Sequence, residues 1–294
     1  MTYYAVKQYD LPILLADFGG RIANTAGENH WYALVDTAFD HEGKALRVPG
    51  NEGLALYSQG QLAALSGVSP VLHALSTSSP DQLQHQLSRL LHHCQGRPML
   101  SFIRSKLPAS DLCVSWQSLL EVETEDKERY LLRFADTRVL PELASQEKIW
   151  NRLAADATAW WTVERDGELQ DLPLPLLPAR NDEPLEIDND CLAELLRAGE
   201  VDAMADYMGN HFPELLAVRD GYANYEILDQ ALALCSELGV FGTSDQYALG
   251  VAALFTEGRL LTDPETSTWL SEHSWNGKGF EDTLAEFMEN KGFS

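Results

Sequence analysis

The pattern of apolar and polar positions divides the chain into a first part with mixed strand and helix signals and a second part with helix signals throughout. In the first part, short apolar runs rich in β-branched and aromatic residues are bounded by polar, Gly or Pro segments, which is typical of strands. We predict strands at residues 31–35, 54–57, 99–103, 130–134 and 157–163.

Helices are predicted between these strands. Ser79, Pro80 and Gln82 have the order of an N-cap, a first-turn proline and a capping-box residue, which predicts a helix start. The residues that follow form one apolar stripe, namely Leu83, Leu87, Leu90, Leu91 and Cys94. A second helix is predicted at about residues 110–120. The succession of helices and strands predicts an α/β (α+β) lobe with a mixed sheet.

The second part predicts an all-α lobe, because apolar residues recur there at helical spacing between regular stop signals. We predict helices that end at the glycines 199, 209 and 239. A capping box at residues 243–246 predicts another helix with Tyr247, Val251, Leu254 and Phe255 facing inward. Asp263 and Pro264 open the next one, and the last is predicted at residues 280–288.

Proline-rich sequence separates the two parts. Residues 171–189 contain four prolines, which remove backbone donors and disfavour helix in the residue before each, so an extended connector is predicted. The predicted domains are an α/β lobe at 1–170, this connector, and an acidic helical lobe at 190–294. The 294 residues, 45% of them hydrophobic, provide enough apolar material for this arrangement.

Charge is distributed unevenly between the parts. The chain has 21 Lys and Arg against 45 Asp and Glu; residues 1–170 carry 15 basic and 21 acidic side chains, and residues 171–294 carry 6 and 24. This excess argues against nonspecific binding of nucleic acid and against stable association with an anionic membrane. The acidic helices serve either solubility alone or a partner with a basic segment.

The sequence favours a cytosolic protein with reduced thiols. The early apolar run at residues 11–16 is short and contains Pro12, and no later stretch has the roughly 18 apolar residues that a membrane span requires. The cysteines are scattered without a C-x-x-C pair and lie in apolar stretches, which suits core thiols better than disulfides. They are Cys94, Cys113, Cys191 and Cys235.

No metal site or cofactor is expected. His85, His92, His93 and Cys94 have residue types that zinc accepts, but neighbouring helix positions point about 100° apart and Cys94 belongs to the apolar stripe. A solvated histidine face is the favoured interpretation. The carboxylates at residues 121–128 are interpreted as a solvated hairpin or connector. The common signatures for nucleotide binding and nucleophilic hydrolysis are missing from the sequence.

One constellation of charged residues remains. Arg133, Asp136 and Arg138 follow a predicted strand, and Asp36 ends another. Charged residues at strand ends can form an ion network that fixes the fold, and this is the favoured interpretation; a ligand site is the alternative.

The same segments carry a family resemblance. The runs at residues 31–38, 56–58, 68–72, 98–105 and 130–139 resemble, in order and spacing, the domain of unknown function 4123 family. The family pattern Arg-Phe-x-Asp-Pro-Arg corresponds to residues 133–138, with Thr137 in place of the proline. The resemblance covers about residues 30–165 and makes Asp36, Arg133, Asp136 and Arg138 the signature positions, without implying catalysis.

The resemblance implies a non-enzymatic adaptor or chaperone of the bacterial type VI secretion system. Such a protein binds a secreted effector, expected here to engage through its N-terminal segment, and helps load it onto the VgrG spike protein. Two rival hypotheses remain. One is a hydrolase or transferase with its site in the α/β lobe around Asp36, Arg133, Asp136 and Arg138; the other is an immunity protein that neutralises a toxin.

Overall fold

A computed structural model describes residues 3–23, 29–40, 46–180, 183–273, 275 and 278–293. It has two compact units. One comprises residues 8–198; the other comprises residues 199–294 together with the N-terminal residues 1–7. The predicted fold class is confirmed: the N-terminal region is α/β with sheets of both pairings, and the C-terminal region is helical.

The larger unit is built on a six-stranded antiparallel sheet. Its strands are β1 (His30–Asp36), β2 (Leu54–Ala55), β3 (Pro70–Ala74), β4 (Leu100–Ser105), β7 (Ala157–Val163) and β8 (Leu169–Asp171), and their order across the sheet is β2-β3-β1-β4-β7-β8. The central strands β1 and β4 are mostly apolar on both faces and are buried. The predicted strands at 31–35, 54–57, 99–103 and 157–163 all lie in this sheet, whereas β3 was not predicted.

The two faces of the sheet bury different aromatic residues, as the alternation of side chains along a strand requires. On one face, α1 (Leu11–Ala23) places Phe18 with its ring centroid 3.9 Å from that of Phe102. On the other face, Trp160 of β7 packs with Trp116 of α3 (Ala109–Trp116) at 5.8 Å. Between α1 and α3 along the chain lies α2 (Pro80–Cys94), which starts as predicted: the Gln82 N–H donates to the Ser79 hydroxyl.

A smaller sheet carries the one parallel strand pair found in the described residues. Its central strand β5 (Glu121–Thr124) pairs antiparallel with β6 (Arg129–Leu131) and parallel with β9 (Leu185–Ile187). The carboxylates at 121–128 therefore form a hairpin, in agreement with one of the predicted readings. The prediction of a strand at 130–134 was too long at its end. Helices α4 (Leu140–Ser145) and α5 (Glu147–Leu153) follow.

Residues 171–189, predicted as an extended connector, are not a free connector over their whole length: they contain strand β9, and α6 begins at Asn189. The pairing of β9 with β5, some 60 positions earlier, makes this end of the segment part of the smaller sheet. Residues 181 and 182 lie outside the described residues.

The helical unit contains most of α6 (Asn189–His211), whose residues before 199 belong to the larger unit. The other helices described there are α7 (Pro213–Leu216), α8 (Gly221–Glu237), α9 (Thr243–Phe255), α10 (Arg259–Thr262), α11 (Pro264–Ser271) and α12 (Phe280–Lys291). The expected helix starts at Asp263 and Phe280 are confirmed, and Asp263 caps α11 by accepting from the Glu265 N–H.

Some predicted boundaries in this unit were wrong. Helix α6 continues through Gly199 and Gly209, because neither glycine adopts the left-handed conformation that ends a helix, whereas Gly239 does, at φ 75°. The cap of α9 is Gly242 rather than the threonine of the predicted capping box. No helix in the described part of the chain is long and apolar enough to cross a membrane.

The N-terminal residues 3–7 pack inside the helical unit, although they were predicted to belong to the α/β lobe. Ala5 is fully buried in the core of α6, α8 and α9. The Asn224 amide donates to the Tyr3 hydroxyl at 2.8 Å. Gly209 and Gly221 permit this approach, because a Cβ at Gly209 would lie 2.5 Å from that of Tyr3 and one at Gly221 would lie 2.2 Å from the Val6 carbonyl oxygen.

Candidate functional site

Asp36 is fixed in place by the backbone on both sides of the end of β1. Its N–H donates to the Met99 carbonyl at 2.9 Å, which continues the pairing of β1 with β4. Its carboxylate oxygen Oδ1 accepts from the Ala38 N–H at 3.0 Å and so caps a short 3-10 helix, Thr37–Phe39. These backbone hydrogen bonds hold the buried Asp36 side chain in one orientation independently of its charged partner.

Arg133 is the charged partner of Asp36. It follows β6, and its Nη2 donates to Asp36 Oδ2 at 2.8 Å and lies 3.8 Å from Asp136 Oδ2. The Asp36 side chain is 1% exposed and that of Arg133 is 37% exposed. The guanidinium thus binds a fully buried carboxylate while part of it remains open to solvent.

Asp136 and Arg138 form a second, bidentate ion pair beside the first. Arg138 Nε and Nη2 donate to the two oxygens of Asp136 at 3.0 and 2.8 Å, and the Arg138 backbone N–H also donates to Oδ1 at 3.0 Å. A planar guanidinium matches a carboxylate in this way, which gives the pair both strength and direction. All the signature positions predicted from the sequence are therefore brought together.

Thr137, which departs from the family pattern, uses the group that a proline lacks. Its backbone N–H donates to the Pro98 carbonyl at 3.1 Å. This bond ties the segment 133–138 to the residues just before β4. Threonine replaces the fixed φ angle of proline by a hydrogen bond to a neighbouring element.

An aromatic ring completes the cluster. The guanidinium carbons of Arg133 and Arg138 lie over the ring of Phe39, 5.2 and 5.1 Å from its centroid, a distance at which the face of the ring attracts a cation. We call the set Asp36, Phe39, Arg133, Asp136 and Arg138 the arginine network.

Burial and neighbouring charges together shift the pKa values of groups in and beside the arginine network. Burial raises the pKa of Asp36 above its usual range, and the Arg133 guanidinium offsets only part of that effect. Burial lowers the pKa of Arg133, but the carboxylates of Asp36 and Asp136 outweigh this and raise it overall. The buried tyrosine Tyr57 has its pKa raised to about 12 by burial and by the Asp36 carboxylate. Arg133 therefore stays charged at all accessible pH values.

Residues 31–149 match the sequence family described as "Domain of unknown function (DUF4123)". This segment carries the arginine network in full. The chain contains a DUF4123 domain. No curated protein and no solved structure matches the chain.

The DUF4123 domain contains a second charged cluster that sequence reasoning missed. Asp40, directly after the capped 3-10 helix, accepts from Arg97 Nη1 at 2.5 Å and lies 2.9 Å from His93 Nε2. Burial raises the pKa of Asp40, but the hydrogen bonds and charges of His93 and Arg97 outweigh burial and lower it. The sequence carries no specific signal for this cluster, because Asp40, His93 and Arg97 lie on separate segments and form no motif.

The residues of the zinc alternative diverge in the DUF4123 domain. His93 bonds to Asp40, Cys94 is fully buried in the core, and His85 and His92 are exposed. Burial raises the pKa of the Cys94 thiol, which opposes the thiolate form that zinc binds. The residues described in the structure contain no group of three or more His, Cys, Asp and Glu side chains arranged to hold a metal ion.

The carboxylates of the arginine network already have hydrogen-bond donors on all their oxygens. Each oxygen of Asp36 and of Asp136 accepts at least one hydrogen bond from within the network or from its backbone. A substrate would have to displace these donors to reach either carboxylate. The arrangement fits the expectation of an ion network that fixes the fold.

Outside the DUF4123 domain, the helical unit has an open groove of about 600 Å³. Its floor is α9, and its walls are the segment from Tyr207 to Leu215 and helix α12. Phe255, predicted to face the core, is 53% exposed in this groove. The residues lining it are Tyr207, Phe212, Leu215, Thr243, Ser244, Tyr247, Ala248, Val251, Ala252, Phe255, Glu281, Leu284, Ala285 and Met288.

Proposed function

We propose that the protein is a non-enzymatic adaptor that binds a secreted effector of the bacterial type VI secretion system and helps load it onto the VgrG spike protein. The observation that carries the proposal is the open apolar groove of the helical unit. A concave groove of about 600 Å³ lined mainly by apolar and aromatic side chains has the usual form of a binding site. The DUF4123 domain supports the same function, which the family resemblance implies.

The two units have separate tasks in this proposal. The DUF4123 domain is a scaffold held by the arginine network, and the helical unit provides the variable surface that selects the effector. The separation is supported by the location of the charged cluster in one unit and of the groove in the other.

The enzymatic alternative requires Asp36 or Asp136 as a general base. Asp36 is held by Arg133 and by the Ala38 N–H, and Asp136 is held by Arg138 through both oxygens. Both carboxylates would have to leave these partners before they could take a proton. This cost makes binding the better-supported function.

The proposed place of action is the bacterial cytoplasm, where the effector is made and loaded. We expect no cofactor, no nucleic acid partner and no stable association with a membrane. The excess of 45 acidic over 21 basic side chains supports the last two expectations, because both surfaces are anionic.

The proposal is tested by purifying the tagged full chain from its own bacterium at low and at moderate salt and identifying the co-purifying proteins by mass spectrometry. We expect a large toxin-like polypeptide, VgrG, or both, enriched over a tagged control protein of similar size and net charge. Recovery of the chain without any enriched polypeptide, together with a tightly bound small molecule, would contradict the adaptor function and favour the enzyme.

A further inference from the structure

The groove of the helical unit has the length and the lining to hold one α-helix. Tyr247, Val251 and Phe255 follow one another at intervals of four residues along α9, so they lie in one row on its surface. Glu281, Leu284, Ala285 and Met288 form the matching row on α12. Helix α9 has 13 residues and is therefore roughly 20 Å long, enough to contact about three turns of a bound helix.

Two large aromatic side chains are exposed in the groove. Phe255 is 53% exposed and Tyr207 is 37% exposed. Tyr207 packs against Tyr247, with ring centroids 4.8 Å apart, so the aromatic wall is preformed. An occupant with an apolar stripe at helical spacing would bury this surface without leaving backbone groups unpaired.

The net charge of the helical unit indicates which residue types flank the apolar stripe of the bound helix. The unit carries 5 Lys and Arg, namely Lys7 and four in residues 199–294, against 17 Asp and Glu. The four in residues 199–294 already have contacts inside the unit: Arg219 with the Leu254 carbonyl, Arg259 with the Thr256 carbonyl, Lys278 with Glu286 and Lys291 with Glu265. The remaining carboxylates repel one another, and Glu281 lines the groove itself.

We infer that the groove binds an amphipathic helix of a partner protein, with its apolar stripe on Tyr247, Val251 and Phe255 and with Lys or Arg at the flanking positions. Charge complementarity selects a cationic helix over a neutral one. The inference rests on the proposed function, in which this helix is a segment of the effector. It adds the chemical class of the segment and the surface that recognises it.

The apolar part is tested with a fluorescent 18-residue model peptide that places Leu along one helical stripe and Lys on both sides of it. We expect Phe255→Ser to weaken its binding to the full chain roughly tenfold, because it removes the most exposed aromatic contact of the groove. Phe241→Ser is the matched control, because Phe241 is 77% exposed in the same unit and does not line the groove. Circular dichroism and the unfolding midpoint verify that both variants fold.

The charge part uses the peptide as well as the protein. Replacement of every Lys in the peptide by Glu should abolish binding, and this test needs no protein variant. Glu281→Lys should slow association and flatten the dependence of affinity on salt, whereas Glu237→Lys, on an exposed position outside the groove lining, should do neither.

Other occupants would give different results. Equal binding of the Lys and Glu peptides, or an equal effect of Phe255→Ser and Phe241→Ser, would overturn the inference. Displacement of the peptide by palmitate at lower concentrations than by unlabelled peptide would show a lipid site instead, and conversion of a dimer to a monomer by Phe255→Ser would show a self-association face. Either result overturns the inference.

Failure of the inference and failure of the proposed function are separable. If the Phe255→Ser chain still co-purifies the effector in full while the peptide does not bind, the adaptor function stands and the groove assignment falls. If the peptide binds as expected but no effector or VgrG is recovered from the native bacterium, the groove assignment stands and the adaptor function falls.

Discussion

Asp36 and Arg133 are 97 positions apart in the chain and meet at 2.8 Å, where the end of the central strand β1 reaches the segment that leaves β6. Their bond joins the six-stranded sheet to the three-stranded sheet within one unit. Because the carboxylate is buried and the guanidinium is only partly so, the pair links the core of the unit to its surface.

Asp36→Asn should destabilise the full chain by about 2 kcal/mol. The substitution preserves the shape of the side chain but leaves the Arg133 charge without its nearest partner; loss of one member of a fully buried pair costs about 3–5 kcal/mol, and the exposure of Arg133 reduces that value. Urea unfolding measures the change. Glu52→Gln, at an exposed position, is the control and should stay within about 0.5 kcal/mol of the native chain. An unchanged midpoint for Asp36→Asn would show that the network does not stabilise the fold.

Arg138→Lys should cost about 1 kcal/mol, because an ammonium cannot reproduce the two parallel bonds to Asp136. A double-mutant cycle with Asp136→Asn measures the coupling, which should exceed about 0.5 kcal/mol. Arg129→Lys is the matched control: its partner Glu123 lies 3.5 Å away and Arg129 is largely exposed, so its effect should be smaller than about 0.5 kcal/mol. Equal effects of the two substitutions would contradict a special role for the bidentate pair.

His73 should make the fold less stable in mild acid. It is buried on β3, its Nδ1 has no hydrogen-bond partner among the described residues, and burial together with the nearby His93 lowers its pKa to about 4. Since the unfolded chain takes up a proton below about pH 6.5 and the folded chain does not until about pH 4, this stabilisation is complete above pH 6.5 and is lost as the pH falls through that range.

The expected loss from His73 is about 2 kcal/mol between pH 7.5 and pH 5. Urea unfolding at the two pH values measures it. His73→Gln should reduce the pH dependence by about that amount, whereas His85→Gln, on the exposed side of α2, should leave it unchanged. Identical pH dependence of all three proteins would refute the assignment.

Two glycines of α6 should respond oppositely to the same substitution. Gly199→Ala should stabilise the chain by about 0.5–1 kcal/mol, because nothing lies within 4 Å of the added Cβ and alanine favours helix. Gly209→Ala should destabilise it and expose residues 3–7 to proteolysis, because the added Cβ would lie 2.5 Å from that of Tyr3. Thermal unfolding and limited trypsin or chymotrypsin digestion measure both effects. A stabilising Gly209→Ala would contradict the packing of residues 3–7 on α6.

Local signals predicted the elements that local interactions determine. Helix α2 was found from its cap and stripe, and Leu83, Leu87, Leu90, Leu91 and Cys94 are all buried as predicted. Asp36, Arg133, Asp136 and Arg138 were found together because each lies beside a strand end and the family resemblance linked them. For α2 the neighbouring residues carry the information, whereas for Asp36 and Arg133, 97 positions apart, the family pattern supplies the link.

Features that depend on distant residues were missed. The proline pattern before β9 concealed a strand because its partner β5 lies some 60 positions earlier. Gly199 and Gly209 resemble helix stops, and only the conformation of the chain shows that α6 continues through both. Phe255 has the spacing of a core residue, but the helices around it leave an open groove. Periodicity identifies an apolar side chain without identifying what covers it.

The packing of residues 3–7 within the helical unit sets an order of events during synthesis. Tyr3 and its partner Asn224 are separated by 221 positions, so at about 5–20 residues per second the ribosome needs roughly 10–45 s to bring the second after the first. All of the larger unit, residues 8–198, is synthesised before Asn224, so it is available for folding while residues 3–7 still lack their partner helix α8. The helical unit is completed last, and we expect a tag fused before Tyr3 to disturb the same unit as a truncation within α12.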